Sequence, residues 1–123
     1  MRIIIAGSRG FNDYLFLKET MDEFIFGNEN PDDLSFNMIE IVSGTANGAD
    51  KLGEKYALET IFNLKKMPAN WDLYGKSAGY VRNEEMAKYA DACVCFWDGK
   101  SKGTKHMIDL ARKYNLILKI IFF

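Results

Sequence analysis

The sequence predicts an α/β fold: a doubly wound parallel sheet of about five strands, with helices on both faces. Three observations predict it. Short apolar runs alternate with stretches of helical periodicity along the whole chain. The runs are continuously apolar rather than alternating, which suits parallel strands covered on both faces. Glycines and small polar residues follow the first, second and fourth runs, where strand-to-helix turns belong.

Strands are expected at residues 2–6, 38–42, 63–67, 91–97 and 116–122, and helices at 13–27, 49–61, 78–89 and 104–114. Ile3, Ile4 and Ile5 are β-branched and closed by a glycine. Asn12 or Asp13 can cap the first helix, whose stripe carries Leu17, Met21 and Phe24. Residues 28–37 are mostly polar, contain Pro31 and read as a loop. The second helix presents Leu52 and Tyr56 beside the small Gly53 and Ala57. Pro68 stops the third strand, and residues 68–77 read as an irregular loop. The order is βαβαβαβαβ, and right-handed crossovers make this a Rossmann-like arrangement. A chain of 123 residues fits one domain, 1–123, with no internal repeat or linker.

Composition sets the class. Hydrophobic residues make up 48% and aromatics 14%, enough for a buried core, and the formal net charge is −1. A protein that coats nucleic acid is expected to carry a basic excess, so no bulk nucleic-acid binding is expected. The apolar start, Met1 to Ala6, is too short for a signal peptide, and nothing reaches the length of a membrane span. No membrane partner is expected, and the location reads as cytoplasmic. Cys93 and Cys95 lie two apart on one strand and read as buried free thiols, which suits a reducing compartment. The lone His106 cannot complete a conventional zinc site with them, so no metal and no cofactor are expected.

Ligands of doubly wound sheets sit outside the carboxyl ends of the strands, where strand order reverses. Four loops therefore matter. The first holds Gly7, Ser8 and Arg9: a glycine for a tight turn, a hydroxyl, and a guanidinium suited to phosphate. It is not a GxGxxG fingerprint, and a plain turn with a solvated Arg9 explains it equally well. The second runs Ser43-Gly44-Thr45-Ala46-Asn47-Gly48-Ala49-Asp50 and resembles a phosphate cradle without the Lys-Ser/Thr ending of a P-loop. Asp50 suits the positive end of a helix, and it can also accept from a ribose. The third region offers Trp71 or Tyr74 for base stacking, or for packing at the edge, followed by Arg82 and Asn83. An arginine near a helix start runs against the dipole, which favours a binding role for Arg82. The fourth holds Ser101, Gly103 and Thr104 at a helix start, an anion-type site. Arg9, Lys76, Arg82, Lys100, Lys102 and Lys105 all fall on this edge, whereas acidic residues lie along the first helix and the loop after it. The ligand these loops imply is a nucleotide-like small molecule bearing phosphate.

On these motifs, together with Arg82-Asn83-Glu84-Glu85-Met86 and Ser101-Lys102-Gly103-Thr104, the chain resembles the SLOG superfamily, particularly its YspA-related bacterial and phage branch. The resemblance covers nearly the whole chain and implies a Rossmann-like fold and a nucleotide-derived ligand. The related Lonely guy phosphoribohydrolases have an arginine in the helix before the fourth strand, then Gly-Gly-x-Gly-Thr-x-x-Glu. Arg82 matches the arginine and Gly103-Thr104 the Gly-Thr, but Lys100 and Ser101 replace the leading glycines and Met107 stands at the glutamate. The resemblance therefore does not carry that hydrolase activity over intact. Three roles follow as alternatives: a nucleotide-binding or sensing module, an N-glycosidase-like hydrolase, or an interaction protein with a vestigial pocket. Tyr14, Phe16 and Phe26 make the first helix apolar on more than one face. That favours a homo-oligomer, the other reading being a broad face buried within a monomer.

Overall fold

The computed structural model describes residues 1–27 and 38–123. The loop expected at 28–37, with Pro31, lies outside the described residues, as do Glu29, Asp32 and Asp33 of the acidic stretch.

Five strands form one all-parallel sheet: β1 (Arg2–Gly7), β2 (Glu40–Ser43), β3 (Asn63–Lys66), β4 (Ala92–Trp97) and β5 (Ile117–Phe122). Their order across the sheet is β3-β2-β1-β4-β5. The chain winds outward from β1 in one direction, then returns to its other side at β4, so the switch point lies between β1 and β4. The fully buried Ile3, Ile4 and Ile5 of β1 pair with the apolar run of β4, Ile3 beside Ala92 and Ile5 beside Val94.

Period-two alternation sends β1 side chains to opposite faces. Ile3 and Ile5 join one core with Leu17 and Met21 of α1 (Tyr14–Phe26) and Tyr56 and Ala57 of α2 (Ala49–Leu58). Ile4 and Ala6 join the other with Met86 and Ala87 of α4 (Ala78–Tyr89) and Met107, Ile108 and Ala111 of α5 (Lys102–Lys113). Helices thus cover both faces, as the continuous apolar runs predict. Gly53 of α2 lets that helix close onto the sheet, because an added Cβ there would stand 2.8 Å from the Ile5 Cβ.

Asp13 is the cap of α1, its carboxylate accepting from the Phe16 N–H at 3.1 Å. The extra aromatics of this helix make contacts within the chain. Phe16 packs edge-on against Phe96 with ring centroids 6.2 Å apart, Phe26 lies 6.0 Å from Phe62, and the Tyr14 hydroxyl donates to Glu59 at 2.5 Å. Phe16 nevertheless stays 36% exposed, beside the exposed Leu15. Cys93 and Cys95 are free and buried, with sulfurs 3.4 Å apart.

Several boundaries differ from expectation: β2 begins at Glu40 rather than 38, and α2 ends at Leu58 rather than 61. Residues 68–77 are not irregular: they hold a short helix, α3 (Trp71–Tyr74), and a 3-10 turn, Gly75–Ser77. The helix expected from residue 104 begins two residues earlier, at Lys102. A glycine is tolerated there because the first-turn N–H groups have no intrahelical partner to lose. Among the described residues, no helix is long and apolar enough to cross a membrane.

Candidate functional site

The carboxyl ends of β1 and β4 are stapled together. Ser8 donates its backbone N–H to the Phe96 carbonyl at 2.9 Å, and its hydroxyl accepts from the Asp98 N–H at 3.2 Å. Such an approach needs glycine at position 7, where an added Cβ would stand 2.2 Å from the Phe96 carbonyl oxygen. Asp98 then organises the loop after β4, one carboxylate oxygen accepting from the Lys100 and Ser101 N–H groups, each at 2.8 Å. These donors hold the Asp98 carboxyl below the usual carboxylate range. The turn delivers the chain into α5, with the Ser101 and Thr104 hydroxyls 3.1 Å apart across its first turn.

The loop after β2 curls around Asp50. The buried Ser43 hydroxyl donates to Glu54 at 2.7 Å and accepts from the Thr45 N–H at 3.1 Å. Thr45 takes a left-handed φ of 65°, and the next N–H, of Ala46, donates to the Asp50 carboxylate at 3.2 Å. Gly48 brings this loop against the first one, since an added Cβ would meet the Ser8 and Arg9 carbonyl oxygens at 2.4 and 2.6 Å. Glu54, one helical turn after Asp50, anchors the loop from below and is itself faced by Lys51 and Lys66 at 3.8 and 3.7 Å.

From the opposite face, α4 contributes Arg82 and Asn83. Arg82 donates from Nη1 to the Gly44 carbonyl and from Nε to the Asn83 side-chain oxygen at 2.9 Å. Its remaining terminal nitrogen, Nη2, makes no hydrogen bond among the described residues. Asn83 braces α4 against α5, its amide donating toward His106 Nδ1 at 3.2 Å and to the Gly103 carbonyl at 3.4 Å. Edge-on contact with Tyr80, centroids 4.5 Å apart, fixes the His106 ring.

These elements border an open cleft of about 100 Å³ at the switch point. Gly7, Arg9, Asp50, Arg82, Asn83, Ser101, Gly103 and Thr104 line it, with Met107 at its base. Asp50 is only 4% exposed. Burial pushes its carboxyl up to about 6, against the opposing pull of the Ala46 N–H and the Arg82 guanidinium. Arg82 is in turn held below the usual arginine range by burial and by the like charge of Arg9. Gly44 and Thr45 line an adjoining cleft that shares Arg9, Ala46 and Arg82. Ser8, Ser43 and Gly48 line neither; the two hydroxyls are engaged within the fold and Gly48 serves loop contact. Of the expected basic rim, Arg9 and Arg82 face the cleft, whereas Lys105 pairs with Asp109 at 3.0 Å. Glu54 escaped the sequence reading, although its position one turn after Asp50 is the signal that could have found it.

A doubly wound parallel sheet with an arginine-flanked cleft at its switch point defines a Rossmann-like α/β protein. Within that class, the chain belongs to the YspA, cpYpsA-related SLOG family (YAcAr), whose pattern matches residues 1–74. It is 32% identical over 118 residues to the Gene 61 protein of Mycobacterium phage D29, covering 91% of this chain and 89% of that protein. DNA processing protein A from Helicobacter pylori shares the fold, with a TM-score of 0.65 over 98% of this chain at 20% identity. The chain spans 64% of that structure's length.

The bacterial protein is described by its single-stranded DNA binding mode. That finding overturns the expectation of no bulk nucleic-acid binding, which rested on net charge. A formal charge of −1 counts charges without locating them. Here two arginines gather at one cleft while acidic residues lie along α1.

Proposed function

We propose that the switch-point cleft binds the phosphate of a nucleotide-type ligand, either a free nucleotide or one nucleotide unit of single-stranded DNA. The observation that carries this reading is the start of α5. Its first-turn N–H groups and the Ser101 and Thr104 hydroxyls border the cleft that Arg9 and Arg82 line from the other side. Backbone donors, a positive dipole end and guanidinium groups together favour a phosphate over other small anions. The single-stranded DNA binding of the Helicobacter pylori protein supports the second source.

Thermal shift with inorganic phosphate, ribose 5-phosphate, nucleoside monophosphates and a labelled oligothymidylate tests the proposal. A ligand at a hundredfold its Kd adds about 2.7 kcal/mol of stability. A free-nucleotide site saturates with the monophosphates. A DNA site prefers the oligomer, and its affinity falls steeply with salt because several phosphates shed counterions. No shift with any of the four would refute the phosphate site.

One observation favours a hydrolytic reading as well. Met107 cannot supply the acid of the Lonely guy enzymes, but the buried Asp50 carboxyl lines the same cleft with a proton affinity suited to acid–base work. Release of free base from a nucleoside monophosphate, followed by chromatography, tests this reading, and an unchanged nucleotide after prolonged incubation excludes it. The buried free thiols of Cys93 and Cys95 support a cytoplasmic setting.

A further inference from the structure

The core does not explain α3. None of its residues is buried, and Trp71, Leu73 and Tyr74 are 56%, 66% and 41% exposed. The turn is nevertheless well held. Asn70 caps it by accepting from the Leu73 N–H at 3.1 Å, and the Ser77 hydroxyl donates to the Tyr74 carbonyl at 2.9 Å. The far end of the Trp71 indole lies 3.8 Å from the Cβ position of Gly79, on α4 less than one turn before Arg82. A large apolar ring is thereby held, solvent-exposed, beside the arginine of the proposed phosphate site.

Trp71, with Pro68 and Ala69, forms one wall of the second cleft, and Thr45 and Asn47 line it as well. The Thr45 hydroxyl and the Asn47 amide make no hydrogen bond among the described residues, so both are available to polar edges. The two clefts meet at Arg9, Ala46 and Arg82. An aromatic platform continuous with an arginine-lined anion site matches one chemistry: a planar base joined through a sugar to a phosphate. We infer that the second cleft is the base subsite of the nucleotide-type ligand, with Trp71 as its stacking surface. This inference rests on the phosphate reading above. Stacking tolerates any base because every base has a π-face, so the subsite selects for a base without selecting strongly among bases.

Calorimetric titration of the full chain with ribose 5-phosphate and with AMP separates the two readings. The wild type is expected to bind AMP about 5- to 150-fold more tightly than ribose 5-phosphate, one base's worth of stacking. Trp71→Ala should bring AMP down to the affinity of ribose 5-phosphate and leave the latter unchanged, while Trp71→Phe recovers most of the difference. Because α3 buries nothing, both variants should keep the wild-type circular dichroism and Tm. If ribose 5-phosphate binds but Trp71→Ala leaves the AMP preference intact, the base subsite is wrong and the phosphate site stands. Exposed α3 would then be a contact for another macromolecule. If neither compound binds the wild type, and a labelled oligothymidylate does not bind either, the phosphate reading fails and takes the subsite with it.

Discussion

Arg82 on α4 donates a hydrogen bond to the carbonyl of Gly44, tying a helix on one face of the sheet to the loop at its edge. The bond fixes the guanidinium while leaving Nη2 without a hydrogen bond among the described residues. Gly44 is what permits it. An added Cβ would stand 2.8 Å from Arg82 Nη1 and 2.9 Å from the Asp50 carboxylate. The obstructing groups are ends of side chains, so a methyl group displaces them rather than the backbone. Gly44→Ala is therefore expected to stay folded, at a cost of about 1–3 kcal/mol. Ribose 5-phosphate affinity should fall about tenfold or more, because a charge-assisted bond is misplaced. Denaturant unfolding and calorimetry on the same samples check both halves, and unchanged affinity would show that Arg82 does not meet the ligand.

Gly48 should behave differently. Its φ of 80° and ψ of −129° are open to glycine alone, and an added Cβ meets backbone oxygens of Ser8 and Arg9. Backbone cannot swing away as a guanidinium can. Gly48→Ala is expected to cost more than about 2 kcal/mol, combining strain with overpacking. A Tm equal to that of Gly44→Ala would contradict this distinction between the two glycines of one loop.

Local chemistry made most of the frame legible. The continuous apolar runs at Ile3–Ile5 and in β4 could only be buried on both faces, and the glycines after β1 and β2 marked the turns that build the cleft. Arg82 stood out because it opposes the helix dipole. What failed to show needed tertiary contact. Ser43 reads as a ligand donor until Glu54 is seen to occupy its hydroxyl. The short α3 has no buried stripe, so its sequence carries no helical period to read. The partners of Tyr14, Phe16 and Phe26 within the chain, Glu59, Phe96 and Phe62, are distant in sequence and could not be read from it. Net charge misled for a related reason, since it discards position.

The thiols yield a kinetic prediction. Cys93 and Cys95 are fully buried, and the contact with Cys95, together with burial, pushes the Cys93 thiol well above its usual range. The thiolate is the reactive form of Cys93, and burial keeps both sulfurs from reagent, so neither cysteine should react with a disulfide reagent in the native state. Modification should proceed only through opening of the sheet, and its rate should track the denaturant dependence of unfolding. Rapid labelling in native buffer would show that β4 opens locally.

Asp50 supplies the pH prediction. Its carboxyl is raised from 3.8 to about 6, chiefly by burial, with Glu54 adding to the rise and the Ala46 N–H and Arg82 opposing it. Between those values the folded chain holds a proton that the unfolded chain has released. The contribution of Asp50 to stability is thus greatest below about pH 4 and is lost as pH rises through about 6. The span corresponds to about 3 kcal/mol. Asp50→Asn keeps an oxygen to accept from the Ala46 N–H and removes the titration. Relative to this variant, the wild type should lose about 3 kcal/mol between pH 4 and pH 7.5, measured by urea unfolding at each pH. Parallel profiles would mean that Asp50 ionises freely. The same variant separates the two functional readings. Removing a carboxylate beside Arg82 should leave phosphate affinity at pH 7.5 unchanged or raised, because no negative charge then competes with the ligand. Any base-releasing turnover should disappear, because the amide can neither give nor take the proton.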